Sequence, residues 1–190
     1  MPTDRSGFYT YIKDGNDVWT PTNEPCRSKP EEWKVTHGMG YTRFEAKKNG
    51  IKAVATYFVG PYENALIWNV KLTSDTDKKI TMFPYVELGM MEFMRELQWW
   101  CYNHHQLACY NMDDILVYNY GVEMQPKPDE TPLIYFATDA KITAFDCDRD
   151  EFVGSYRSEE DPQNVEKGAC TNTTINGGDP VFALQIDVDV

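Results

Sequence analysis

The chain lacks the features of membrane and nucleic-acid-binding proteins. It has no run of 18 apolar residues that could span a bilayer, and its first residues form no apolar signal segment. There are 18 Lys and Arg against 30 Asp and Glu, which gives a net charge of −12 without any basic cluster. Binding to nucleic acid or to anionic lipid needs a basic surface. We therefore expect neither partner, and we expect a cytoplasmic protein.

Residues that bind metals or form disulfides are scarce and poorly spaced. The five cysteines are far apart and include no CxxC pair, which indicates reduced, buried thiols. His104 and His105 are adjacent, so their side chains diverge and rarely hold one ion. The stretch 146–150 begins like a calcium loop but lacks the Gly and Glu required further on. We expect no metal and no cofactor, and the common nucleotide-binding and nucleophile motifs are missing.

Alternation of apolar and polar residues with a period of two runs through most of the chain and predicts β-strands. The clearest turn signal is Asn49-Gly50, because both residues tolerate a positive φ. Strands are predicted over 8–13, 17–20, 41–47, 51–59, 65–72, 80–87, 107–111, 115–120, 133–138 and 142–146. Many strands and few helices indicate an all-β sandwich.

Three segments depart from this pattern or extend it. Apolar residues at three- and four-residue steps predict a short amphipathic helix near 90–101. The stretch 148–179 is polar and aperiodic, which predicts a long loop. Residues 181–190 alternate to the last position, which predicts a half-buried strand. Because a natural end more often frays into polar residues, we expect the chain to be a fragment.

The residues alone show no catalytic constellation. Aromatic side chains make up 14% of the chain, and core packing explains them better than a sugar-stacking surface. Two classes of function stay open at this point: a carbohydrate-binding accessory domain and a structural or assembly domain. A sugar-binding titration would separate them.

Several ordered blocks resemble the opening of glycoside hydrolase family 94. The most specific is His37-Gly38-Met39-Gly40-Tyr41-Thr42, which matches an HGxGYT block of that family. Other matching blocks lie at 8–14, 18–22, 49–51, 57–59, 67–68, 83–87, 148–157 and 177–180. The resemblance covers almost the whole chain.

The resemblance implies both a fold and a function. The fold would be an antiparallel super-sandwich similar to galactose mutarotase, forming one domain over 1–190 that is cut before a helical linker and an (α/α)6 catalytic barrel. The complete enzyme would be a homodimer that cleaves a β-glucan oligosaccharide with inorganic phosphate and releases α-glucose 1-phosphate. Because the barrel carries the catalytic acid, this chain would hold no catalytic residue and would be inactive alone.

Within the family, two stretches, 98–106 and 120–128, look most like cellodextrin phosphorylases rather than cellobiose phosphorylases. The first is dense in aromatic, amide and imidazole groups, and the resemblance implies that it reaches the glucan or the partner subunit. The candidate contact residues there are Trp99, Tyr102, Asn103, His104 and Gln106.

Overall fold

The computed structural model describes residues 7–88, 105–122 and 133–190. Within these ranges the strands, numbered in chain order, form three antiparallel sheets. The five-stranded sheet contains, in spatial order, β11 (Ala144–Asp148), β13 (Pro180–Asp189), β7 (Lys79–Glu87), β1 (Phe8–Asp14) and β2 (Asp17–Trp19). The second sheet contains β10 (Leu133–Phe136), β9 (Ile115–Val122), β8 (His105–Met112) and β12 (Ile175–Asn176). The third contains β3 (Glu32–Gly38), β4 (Tyr41–Lys48), β5 (Ile51–Val59) and β6 (Leu66–Ser74).

The predicted turns form where the sequence places them. Asn49 and Gly50 adopt φ of 52° and 76° and join β4 to β5, as a two-residue hairpin turn requires. Gly15, with φ of 59°, joins β1 to β2. Because turn chemistry fixes the hairpin register, Ile51, Ala53, Ala55 and Tyr57 of β5 are buried together on one face of their sheet, whereas β1 is buried on both faces from Tyr9 to Ile12.

The five-stranded sheet is the central layer. One of its faces carries Tyr11, Phe83 and Tyr85, which pack against Phe152 and Val165 from the segment after β11. Its other face is covered by both four-stranded sheets. The second sheet packs there on residues that include Phe182 and Leu184, and the third packs on residues that include Ile12 and Ile80. The all-β prediction is therefore confirmed.

The prediction that the last strand is half-buried is wrong. β13 lies between β11 and β7 and is buried on both faces from Pro180 to Ile186. The polar member of this run, Gln185, is only 7% exposed, and its Oε1 accepts a hydrogen bond from the backbone N–H of Cys170 at 2.9 Å. Burial of a polar side chain is tolerated when it is hydrogen-bonded in this way.

The prediction of a long loop over 148–179 is also wrong in part. The segment contains a π-helical turn (Asp150–Gly154), helix α1 (Gln163–Lys167) and β12, and it buries Phe152, Val153 and Val165. Its polar composition conceals this packing, because buried Asn164 and Glu159 are satisfied by internal hydrogen bonds.

Smaller differences concern strand bounds. β3 and β12 were not predicted, and β11 begins at Ala144 rather than at residue 142. The predicted helix near 90–101 lies outside the described residues. In the described ranges, no helix has the length and apolar character needed to cross a membrane.

Candidate functional site

An open groove of about 750 Å³ lies at one end of the sandwich. Its walls come from the start of β1, the β3–β4 turn, the end of β5 and the start of β6. Phe8, Tyr41 and Leu66 line it while keeping 40%, 42% and 44% of their surface exposed. Partly exposed apolar side chains grouped in a concavity are typical of a ligand or partner site.

The rim of the groove is the β3–β4 hairpin. Its two-residue turn is Met39-Gly40, and Gly40 adopts φ of 83°. His37 pairs with Thr42 across the hairpin, and a hydrogen bond of 3.1 Å joins the His37 Nδ1 to the Thr42 Oγ1. A Cβ on Gly38 would overlap the Tyr41 ring, so this glycine lets the ring lie against the backbone. By the register of the hairpin, the His37 and Thr42 side chains lie on one face and the Tyr41 ring lies on the other, against Gly38.

The wall of the groove is a cluster of aromatic rings. Tyr57, which is 5% exposed, has its ring centroid 5.3 Å from that of Phe8 and 5.9 Å from that of Phe44. Trp68 stands behind them, 5.2 Å from Phe8 and 5.7 Å from Tyr57. Contacts at these spacings hold rings in place. The groove therefore has a preformed aromatic wall.

Among the described residues, none of those that line the groove is Asp, Glu, Lys or Arg, although these four types make up 25% of the chain. Burial raises the pKa of Tyr57 to about 12, so its hydroxyl stays neutral at physiological pH. Such a lining favours a neutral ligand over an anion or a cation.

The buried carboxylates outside the groove hold the chain in place. Asp146 Oδ1 accepts hydrogen bonds from the backbone and hydroxyl groups of Thr171 and Thr173, and its Oδ2 accepts one from Asn164 Nδ2. Glu159, which is 2% exposed, accepts a 2.7 Å hydrogen bond from Arg149. These bonds tie the segment after β11 to the central sheet, so we assign both carboxylates a structural role.

The four cysteines of the described residues are free thiols. Cys109, Cys147 and Cys170 are buried and free, and Cys26 is half-buried and free. Burial raises the pKa of Cys26 to about 12. A hydrogen bond with the Cys147 thiol, together with burial, raises the pKa of Cys109 further. Among the described residues, no group of three His, Cys, Asp or Glu side chains could hold a metal ion.

The predicted contact residues are not tested here. Trp99, Tyr102, Asn103 and His104 lie outside the described residues, and Gln106 lies in β8 with its side chain undescribed. The groove itself was not predicted as a site. The signal that could have found it is the HGxGYT block, whose paired glycines and flanking His and Tyr mark a tight turn that presents side chains.

Comparison with known proteins gives the family. Residues 1–190 match the family described as "Glycosyl hydrolase 94, supersandwich domain". The chain is 32% identical over 180 residues to an N,N'-diacetylchitobiose phosphorylase from Vibrio furnissii, a match that covers 90% of this chain and 22% of that protein. It is 30% identical over 183 residues to a solabiose phosphorylase from Paenibacillus borealis, covering 93% of this chain and 23% of the relative. A 3-O-beta-D-glucopyranosyl-beta-D-glucuronide phosphorylase from the same organism is 27% identical over 191 residues, or 94% of this chain and 24% of the relative.

The architecture is that of an antiparallel super-sandwich. The chain belongs to glycosyl hydrolase family 94, and its residues 1–190 are the supersandwich domain of that family. It spans less than a quarter of the length of these relatives. The prediction that it is most like a cellodextrin phosphorylase is not confirmed, since these relatives are named for other sugars.

Proposed function

We propose that the chain is the sandwich domain of an inverting phosphorylase that cleaves a β-linked disaccharide or short oligosaccharide with inorganic phosphate. The observation that carries this proposal is the family match over the full chain, joined to relatives that are all named phosphorylases although their sugars differ.

The chemistry explains how such an enzyme can work with few groups in this domain. An inverting hydrolase needs one carboxylic acid to protonate the leaving oxygen and one carboxylate to activate water. Phosphate is already an anionic nucleophile, so a phosphorylase needs only the acid and positive groups that hold the phosphate. The buried carboxylates Asp146 and Glu159 are engaged in structural hydrogen bonds. We therefore propose that this domain supplies no catalytic acid and is inactive alone.

The identity of the sugar and the oligomeric state of the enzyme are more specific proposals. The stretches 98–106 and 120–128 support a cellodextrin substrate. The names of the relatives add N-acetylated and other disaccharides as alternative substrates. We also propose a cytoplasmic homodimer in which Tyr102 and His104 contact the glucan or the partner subunit. Replacing either by Ala in the complete enzyme should then raise KM several-fold while leaving folding intact.

The test is a substrate panel. The complete product of the gene and the 190-residue chain are each incubated with phosphate and cellobiose, cellotriose, N,N'-diacetylchitobiose or solabiose, and sugar 1-phosphate is measured. We expect phosphorolysis of at least one sugar by the complete product and none by the chain. Sugar 1-phosphate formation by the chain alone would refute the assigned role of this domain.

A further inference from the structure

The groove at the end of the sandwich has no role in the proposed chemistry, although it contains the most specific sequence block of the chain. Its His37–Thr42 turn presents an imidazole and a phenol at the rim, and Phe8 stands across from them at the start of β1. We propose that this groove binds a neutral pyranose unit of the oligosaccharide, an inference that rests on the proposed function.

The size and shape of the groove suit a sugar ring. A volume of about 750 Å³ falls within the range of roughly 300–1,000 Å³ that is usual for small-molecule sites. The groove is open to solvent along one side, since Tyr41, Val59 and Leu66 are exposed there. A glycan chain could therefore enter with one or two rings in the groove and continue outward.

The aromatic rings of the lining suit the C–H face of a sugar. One face of a β-linked pyranose is a patch of C–H groups, which carry partial positive charge and pack against the negative face of an aromatic ring. Phe8 and Tyr41 are the partly exposed rings that can supply such faces. Tyr57 packs against Phe8, and Phe44 packs against Tyr57, which holds the Phe8 side of the wall in place.

Polar groups at the rim of the groove can bind sugar hydroxyls. The His37 Nδ1 is engaged by the Thr42 Oγ1, which fixes the ring and leaves its Nε2 for a sugar hydroxyl. Thr22 lines the groove as well, with its hydroxyl donating a hydrogen bond to the Glu24 carbonyl oxygen. A few convergent polar groups in a mainly apolar concavity are the pattern expected of a site that orients an uncharged ligand.

The charge of the lining also favours a neutral ligand. In the described part of the chain the lining residues include no Asp, Glu, Lys or Arg, although the net charge of the chain is −12. A phosphate group would need a compensating cation, and a uronic acid would also be desolvated without a partner. The groove is therefore assigned to the neutral part of the glycan and not to phosphate or to an acidic sugar.

The test is a binding titration of the 190-residue chain followed by NMR or calorimetry. The probes are cellobiose, cellotriose and N,N'-diacetylchitobiose, with maltose and inorganic phosphate as comparisons. We expect saturable, millimolar binding of at least one β-linked probe, and no phosphate binding at the groove. Tyr41→Ala should raise the Kd roughly tenfold, which corresponds to about 1.4 kcal/mol.

Matched variants locate the site. Tyr135→Ala is the control, because Tyr135 is an exposed tyrosine on β10, outside the groove, and the Kd should not change. His37→Ala should weaken sugar binding without loss of folding. It serves as a second groove variant if Tyr41→Ala does not fold. Absence of saturable binding, or binding that both groove variants leave unchanged, would overturn the proposal. The phosphorolysis panel distinguishes the two failures: sugar 1-phosphate formation by the complete gene product without sugar binding to this chain would refute the groove alone.

Discussion

Replacing Asp146 by Ala gives the most direct check on how the segment after β11 is held. The Asp146 side chain is fully buried and accepts five hydrogen bonds. Four reach Oδ1 from Thr171 and Thr173, at 2.9–3.2 Å, and one reaches Oδ2 from Asn164 at 2.8 Å. One carboxylate therefore organises both the strand-like stretch at 171–173 and helix α1.

The expected magnitude follows from the donors left behind. Truncation leaves groups on Thr171, Thr173 and Asn164 without their acceptor, and each buried donor without a partner costs about 1–3 kcal/mol. Water entry and side-chain rotation recover part of this, so we expect a total loss of about 3–5 kcal/mol in unfolding free energy. In a domain of this size such a loss lowers Tm by roughly 10 °C or more.

The assay is thermal and urea unfolding of the chain followed by circular dichroism. Asp187→Ala is the matched control, since Asp187 is an exposed aspartate on β13 that accepts one 2.8 Å hydrogen bond from Thr81. It should cost less than about 1 kcal/mol. An Asp146→Ala variant as stable as this control would refute the assigned structural role.

Three further predictions concern stability and reactivity. Burial raises the pKa of Tyr57 to about 12 from an ordinary value of about 10, so the unfolded state loses this proton first as pH rises. The unfolding free energy should therefore fall between about pH 10 and 12, by up to about 1.4 kcal/mol per pH unit. Tyr57→Phe should flatten that part of the pH profile in alkaline unfolding curves, and an unchanged slope would count against it. Gly50→Ala should lower the unfolding free energy by about 1–2 kcal/mol, because φ is 76° at this position. Lys52→Ala, at a nearby exposed position of β5, should leave it nearly unchanged. Equal losses for the two variants in urea unfolding would contradict the assigned role of Gly50 in the turn. In a Cys26→Ser, Cys101→Ser background, Ellman's reagent should react slowly with the three buried thiols until the chain is unfolded. Rapid labelling of the native chain would contradict the burial of Cys109, Cys147 and Cys170.

Most strands and the Asn49-Gly50 turn are predictable from the sequence, because local residues determine them. Asn49-Gly50 defines its hairpin locally, because both residues reach positive φ at low cost and the flanking residues alternate. The two faces of β13 could not be read in this way. Gln185 and Ala183 look like the solvent side of a half-buried strand, but a packed segment from 148–179 covers them. That covering depends on Asp146, which binds Thr171 and Thr173, and on Glu159, whose backbone carbonyl accepts a hydrogen bond from the Tyr11 hydroxyl; both join residues far apart in the chain.

The groove shows the same limit for function. The block at 37–42 is recognisable from its residues, although neither its turn nor β3 was predicted. Its opposite wall comes from Phe8 and Leu66, which are distant in sequence and meet it through the packing of β1 and the pairing of β5 with β6. A concavity made by β1, the β3–β4 hairpin, β5 and β6 leaves no periodic pattern in the sequence. The predicted contacts at Trp99, Tyr102, Asn103, His104 and Gln106 remain predictions.

Proton NMR of the reaction of the complete gene product with a β-linked disaccharide would decide whether this domain belongs to an inverting phosphorylase. We expect the disaccharide to be consumed only when phosphate is present, with an α-configured sugar 1-phosphate as the first product, because direct attack by phosphate inverts the anomeric centre. Hydrolysis that proceeds equally without phosphate, or a β-configured product, would contradict this expectation.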